Sequence, residues 1–307
     1  VKELEEKINL FYSKDNDVIK HYSNLFNDLK NKNLIDSSFL SQFTNKDKSI
    51  QRLSELVITK YCLSSFGTLN PSKDDGPDIT VSYKNNKVNI ELVTPLKVQQ
   101  KEMKVAVFSN ELIGSSMLSR RTSRPQLVPD TDSLHPRITS VYTDKLDAYQ
   151  KYLKNGVVSK NDINIVCINL GYIENYNYID FNYLRNLFHR QEIIQIELDE
   201  KNNASHDVFD NTFTLKKHNN TSFETSYLDN DASSEIIDGI WIIAANEKTY
   251  QNLSHEKYDT HEKAKNIIYT NNNSKQMDDL VNELHVSRYQ TDYFTNYIRT
   301  HKALPNT

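Results

Sequence analysis

Glycine is scarce in this chain: six residues in 307. Phosphate-cradling loops and dinucleotide-binding turns need several closely spaced glycines, and neither pattern occurs, nor does a nucleophile elbow. Cysteine is scarcer still. Cys62 and Cys167 sit in apolar runs and read as buried thiols rather than a disulfide, so a reducing compartment is expected. No Cys-x-x-Cys occurs, which argues against a structural zinc site. No stretch approaches the roughly 18 apolar residues of a membrane span, and no leader is visible. The location expected on these grounds is cytoplasmic, with a secreted effector left open and no membrane partner. Surplus positive charge is also missing. The formal net charge of −4 predicts no general affinity for polyanions, so any nucleic-acid contact must use a local basic patch.

With 37% hydrophobic and 25% charged residues, the chain suits a folded protein. No internal repeat or low-complexity linker divides it. One elaborated α/β domain is expected over 1–307: a helical part over 1–47, a core over 48–170, and sheet completion with further helices over 171–307.

The informative stretch runs from Gly76 to Pro95. Two alternating strands flank Asn85-Asn86, a pair that tolerates the left-handed backbone of a tight turn. A two-residue loop there sets Lys84 opposite Lys87, Tyr83 opposite Val88, Val81 opposite Ile90 and Ile79 opposite Leu92, so one face is apolar throughout. The other face carries Thr80 opposite Glu91 and Asp78 opposite Val93. Asp78 and Glu91 then become diagonal neighbours, about 7–8 Å apart at the backbone. Two carboxylates at that spacing can share a partly hydrated Mg²⁺. They can equally be the polar, solvated outer face of an antiparallel hairpin.

Around this hairpin the periodicity predicts helices. Residues 1–32 read as one long helix whose apolar stripe has a local break near Asp15–Asp17. Asp36 is placed to cap a short helix through Phe43. Thr44 or Asp47 opens a helix from Lys48 to Phe66, apolar nearly all round and closed by Gly67. Glu55 lies on its flank, either a stripe-edge residue or a third acid near the hairpin. Residues 96–135 show no period and hold Arg120, Arg121 and Arg124, a solvated loop or a phosphate-backbone patch. Pro136 suits the first turn of a helix ending at Asn155 before Gly156. Within its stripe falls Lys145; a lysine on an inner face costs free energy unless paired, so it reads either as a snorkelling side chain or as a catalytic one. Ile163–Leu170 and Ile236–Ala245, with Trp241, read as buried strands. Phe181–His189 reads as a short helix, Glu192–Leu198 and Ile267–Tyr269 as strands, 199–222 as an exposed polar excursion, and 275–286 and 289–302 as helices. His255-Glu256 with His261 lacks the four-residue histidine spacing of zinc proteases. Ser205-His206-Asp207 cannot converge as a triad because adjacent side chains point apart.

Glu55 on a helix, Pro77-Asp78 opening one strand and Glu91 in the next resemble the PD-(D/E)XK nuclease superfamily. Gly76-Pro77-Asp78, Ile90–Pro95 and Arg137–Ser140 with Lys145 are similar, more locally, to a group of bacterial proteins without an established activity. The superfamily resemblance implies a mixed β-sheet core flanked by helices, restriction-endonuclease-like, with added N- and C-terminal helices. It implies Mg²⁺ or Mn²⁺ held by Asp78 and Glu91 with Glu55 as an accessory ligand, and hydrolysis of phosphodiester bonds in DNA or RNA. The superfamily's lysine follows its second acid by two residues, and here that position holds Val93. Lys145, or less favourably Lys97, is the expected replacement, making Asp78, Glu91 and Lys145 the catalytic set. Arg120, Arg121, Arg124 and Arg137 would hold the nucleic-acid backbone. The alternatives are a nuclease-like fold that no longer cuts and serves as a binding module in bacterial defence or as an effector, or another metal-dependent phosphate hydrolase. The oligomeric state is open, a homodimer included.

Overall fold

The computed structural model describes residues 1–71, 75–84, 86–95, 103–110, 122–129, 131–174, 176, 179, 184–198, 204–211, 214–216, 222–225, 227–229, 235–249 and 266–288. Their centre is a mixed six-stranded sheet flanked by helices.

The single long helix expected over 1–32 is instead two helices, α1 (Lys2–Phe11) and α2 (Asn16–Asn31). The predicted break separates them because the Asp15 carboxylate accepts the Asp17 N–H and starts α2 afresh. A single 3₁₀ turn, Leu40–Gln42, stands where a short helix was expected. The long helix α3 (Lys46–Phe66) is capped by Asn45, whose side chain accepts from the Lys48 N–H, rather than by Thr44 or Asp47. It ends at Gly67, whose φ of 73° only glycine adopts freely.

Next comes the hairpin of β1 (Ile79–Tyr83) and β2 (Asn86–Val93). Its register differs from the expected one by two residues: Ile79 pairs with Ile90, Val81 with Val88 and Tyr83 with Asn86. The turn lies one residue earlier, with Lys84 at φ 52°. A two-residue slip keeps every side chain on its face, so alternation alone could not distinguish the two registers. Carrying the observed register one step further sets Asp78 directly opposite Glu91.

The stretch expected to be structureless contains a separate antiparallel pair, β3 (Met103–Asn110) and β4 (Thr122–Pro129). Helix α4 (Thr131–Lys154) then starts five residues before Pro136, which lies inside it. The buried strand β5 (Ile163–Asn169) follows. Helix α5 is one turn, Arg185–Phe188. The strand expected near Glu192 is present as β6 (Gln191–Leu198) but pairs with β7 (Ala204–Asn211) outside the main sheet. Residues within the supposed polar excursion form β7 and β8 (Thr214–Lys216), and β8 pairs with β9 (Ser222–Glu224). The chain then returns through β10 (Gly239–Ile243), β11 (Asn266–Tyr269), helix α6 (Lys275–Glu283) and β12 (Ser287–Arg288). The expected helix over 289–302 lies outside the described residues.

Sheet order is β1-β2-β5-β10-β11-β12. β2, β5 and β10 are mutually parallel. Alternation along these strands divides the core between two layers. Ile90, Leu92, Ile165, Cys167 and Trp241 pack against α1, α2, α3 and α6. Val166, Ile168, Ile240 and Ile242 pack with Ile138, Tyr142 and Tyr149 of α4. Cys62 and Cys167 are buried free thiols in the first layer. The α2 layer is tied to the end of β10 where the Tyr12 and Tyr22 hydroxyls donate to Glu247.

Just past β5, a Cβ on Gly171 would come within 2.5 Å of the Ala245 backbone N and O. Gly171→Ala is therefore expected to lower stability by about 1–3 kcal/mol, since two backbones would have to separate. Urea unfolding measures this, and an unchanged midpoint would refute the close approach.

A cleft joining two acids and a lysine

Asp78 does not decorate a solvated face. Its Oδ2 accepts the Leu92 N–H at 2.7 Å, so the carboxylate continues the hairpin by hydrogen-bonding the neighbouring strand. Glu91 shares a face with its parallel partner Val166, and that face is covered by α4. It is only 2% exposed. The expectation of a polar outer face is corrected here, because α4 packs over it.

Helix α4 supplies the matching cation. Lys145 Nζ donates to Glu91 Oε2 and, at 3.4 Å, to Asp78 Oδ2. Four residues on, the Tyr149 hydroxyl lies 2.9 Å from the Asn89 and Ile165 carbonyls, pinning the helix to β2 and β5. Seven residues on, Tyr152 donates to the Gly76 carbonyl at 3.0 Å. Lys145, Tyr149 and Tyr152 lie on one helical face. Lys145 is thus an ion-paired lysine, and its place in an apolar stripe is explained by the acids beneath.

Burial pushes Glu91 up, the adjacent Asp78 charge adds to this, and the Lys145 ammonium only partly opposes it, leaving the carboxyl at about 7. Burial works against the charge on Lys145, but Asp78 and Glu91 outweigh it and hold the ammonium above the ordinary lysine range. Burial, with the Glu91 charge beside it, also keeps the Tyr152 hydroxyl protonated well above its usual range. Glu91 Oε1 is buried and accepts no hydrogen bond of ordinary geometry among the described residues, although the Tyr152 hydroxyl is near enough to act on the carboxylate.

These groups adjoin a cleft of about 310 Å³ at the C-terminal end of β2. Helix α3 bounds it from one layer and α4 from the other, so Asp78, Glu55 and Lys145 all line it while Glu91 sits behind Lys145. Glu55 is nearly buried and paired with Arg52, which also reaches Asp36 at 3.2 Å. Burial raises Glu55 to about 8; Arg52 opposes the shift and nearby Asp78 adds to it. Val93 faces the same cleft, as do Asp144 and Thr94.

Three of the sequence-derived residues, Asp78, Glu91 and Lys145, are therefore in contact, and Glu55 is across the cleft. Among the described residues, no group of three or more His, Cys, Asp and Glu is arranged to hold a metal ion. Arg137 is half-buried on α4 and does not line the cleft. Arg124 lies in β4 opposite Phe108. Arg120, Arg121 and Lys97 lie outside the described residues. Sequence reasoning missed Arg52, Thr94, Tyr149 and Tyr152. Arg52 carried a signal in its three-residue spacing from Glu55, whereas the tyrosines were indistinguishable from apolar stripe residues. No helix of the described residues is long and apolar enough to cross a membrane. Set against protein-family models, curated proteins and solved structures, the chain shows no match.

Proposed function

We propose that this cleft hydrolyses phosphodiester bonds of nucleic acid with the help of Mg²⁺ or Mn²⁺, on a restriction-endonuclease-like arrangement of the sheet. The observation that carries the reading is that Lys145, arriving from α4, reaches both Asp78 and Glu91. This compensates for Val93 at the position where the superfamily has its lysine.

The donor set fits a hard divalent ion. Mg²⁺ is commonly bound through one or two carboxylates, with water and substrate phosphate completing its shell. Asp78 and Glu91 would be those carboxylates, and Glu91 Oε1 accepts no hydrogen bond of ordinary geometry among the described residues. Glu55 would be an accessory ligand once released from Arg52. When bound, the ion would supply a water activated at neutral pH and would neutralise charge on the phosphate.

The protein's own groups do the rest. Asp78 is oriented by its bond from the Leu92 N–H. The Lys145 ammonium lies where it can stabilise negative charge developing on a phosphate oxygen. Tyr152, bound to Gly76 just before Asp78, holds the entry to β1 against α4. Arg120, Arg121, Arg124 and Arg137 are proposed to hold the nucleic-acid backbone.

The second reading is a binding module that has lost cleavage. It is favoured by the ion pair that already occupies Glu91 and by the absence of a three-ligand group among the described residues. Calorimetric titration with Mn²⁺ separates the two. Under the nuclease reading, wild type binds Mn²⁺ and cuts nucleic acid, whereas Asp78→Ala combined with Glu91→Ala abolishes binding and lowers cleavage by at least about 10³-fold. Wild type that binds no Mn²⁺, with or without nucleic acid, would favour the binding module.

A further inference from the structure

Thr94 follows the last residue of β2 and lines the cleft at 3% exposure, yet its Oγ1 meets no hydrogen-bond partner among the described residues. A buried hydroxyl left unpaired costs free energy, so a ligand oxygen that paired with it would be favoured there. Thr94 is not alone on this wall. Both described hydrogen bonds of Arg52 run through Nη1, to Asp36 and Glu55. A guanidinium carries five N–H donors, so Nη2 and Nε remain. Gln51, adjacent on α3, also lines the cleft, and its amide bonds no described residue.

The cleft therefore carries two kinds of chemistry. Lys145 joins Asp78 to Glu91 behind it, and Glu55 is paired to Arg52. Thr94, Arg52 and Gln51 add donors that no described residue uses, and donors from a hydroxyl, a guanidinium and an amide suit the oxygens of a phosphate.

We propose that Thr94, Arg52 and Gln51 bind the phosphate next to the scissile one, so that the substrate is a polynucleotide strand rather than a phosphomonoester or an isolated diester. This rests on the metal-dependent reading of the acid pair. The carboxylates of the cleft make phosphate binding dependent on the divalent ion, because among the described residues Glu55, Asp78 and Asp144 line it against Arg52 and Lys145.

The test uses the full chain with Mn²⁺ and a thymidine trinucleotide whose two linkages are phosphorothioates. It is compared with the two trinucleotides in which one or the other linkage is a neutral methylphosphonate. Each replacement is expected to weaken binding to wild type at least tenfold. In Thr94→Val, a near-isosteric change, one of the two penalties disappears and the other stays, while affinity for Mn²⁺ alone changes less than twofold. Gln51→Ala, on the cleft rim, weakens the same penalty. Retention of both penalties in Thr94→Val overturns the subsite. So does a loss of Mn²⁺ affinity in that variant, which would put the hydroxyl on the ion instead. Titration with Mn²⁺, alone and with the bis-phosphorothioate present, separates the two failures: no binding by wild type in either case removes the metal reading, whereas Mn²⁺ binding with both penalties intact in Thr94→Val removes only the second phosphate.

Discussion

Lys145→Met is expected to lower the unfolding free energy by about 3–5 kcal/mol at pH 8, the usual cost of removing one partner of a buried ion pair. Methionine keeps the length of the stem, so the loss is electrostatic. It leaves Glu91, 2% exposed, facing Asp78 with no compensating charge. The pH dependence identifies the cause. A carboxyl raised from 4.5 to about 7 by burial binds protons more tightly folded than unfolded. It contributes stability that is fully present below about 4.5 and lost as pH rises through about 7. Without the ammonium that pulls it down, Glu91 moves higher still. The variant should then lie close to wild type at pH 5 and far below it at pH 8 in urea unfolding. Adding Glu91→Gln to Lys145→Met should recover much of the deficit, a coupling that a double-mutant cycle reads directly. Equal losses at both pH values would mean that Lys145 matters through packing and not through charge.

Asn169→Ala is expected to cost about 3–5 kcal/mol for a different reason. The side chain is fully buried at the end of β5, and its amide is completely used. Nδ2 donates to Ser54 Oγ at 2.7 Å and to the Ala245 carbonyl at 2.9 Å, while Oδ1 accepts from the Gly171 and Ala245 N–H groups. One residue thereby joins α3, β5 and the segment after β10. Truncation orphans backbone groups at Gly171 and Ala245, both buried, and each such group costs about 1–3 kcal/mol. Guanidinium denaturation should show a lower midpoint at unchanged slope. A loss below about 1 kcal/mol would indicate that water takes the place of the amide.

How far the site was legible depended on what each residue had to do. β5 and β10 were readable because strands buried on both faces are nearly continuous apolar runs; β5 departs from this only at Asn164 and Asn169. Lys145 was readable because a charge inside an apolar stripe conflicts with its surroundings. Asp78 and Glu91 were found through the hairpin, but their opposition was misjudged as a diagonal because a two-residue slip leaves the hydrophobic pattern intact. Only the turn distinguishes the registers, and Lys84 at φ 52° is not a residue whose type announces that conformation. The cover over the polar face was invisible, since it depends on where α4 docks. β3 and β4 escaped because Lys104–Phe108 neither alternates nor repeats at helical spacing. Thr94 and Gln51 gave no local signal at all: their interest comes from what they fail to touch.

The connection from β2 through α4 to β5 also orders events in time. Asp78 and Glu91 belong to one hairpin and can be brought together by closing a two-residue turn. Lys145 lies 54 positions beyond Glu91 and 67 beyond Asp78. Closing that larger loop costs more chain entropy, as does the parallel pairing of β2 with β5, which spans the same crossover. The nascent hairpin thus carries two like charges side by side until the crossover docks. The interval between the two closures is when β2, with its Val-Asn-Ile-Glu-Leu-Val run and no partner on its far edge, is most open to pairing with the wrong chain.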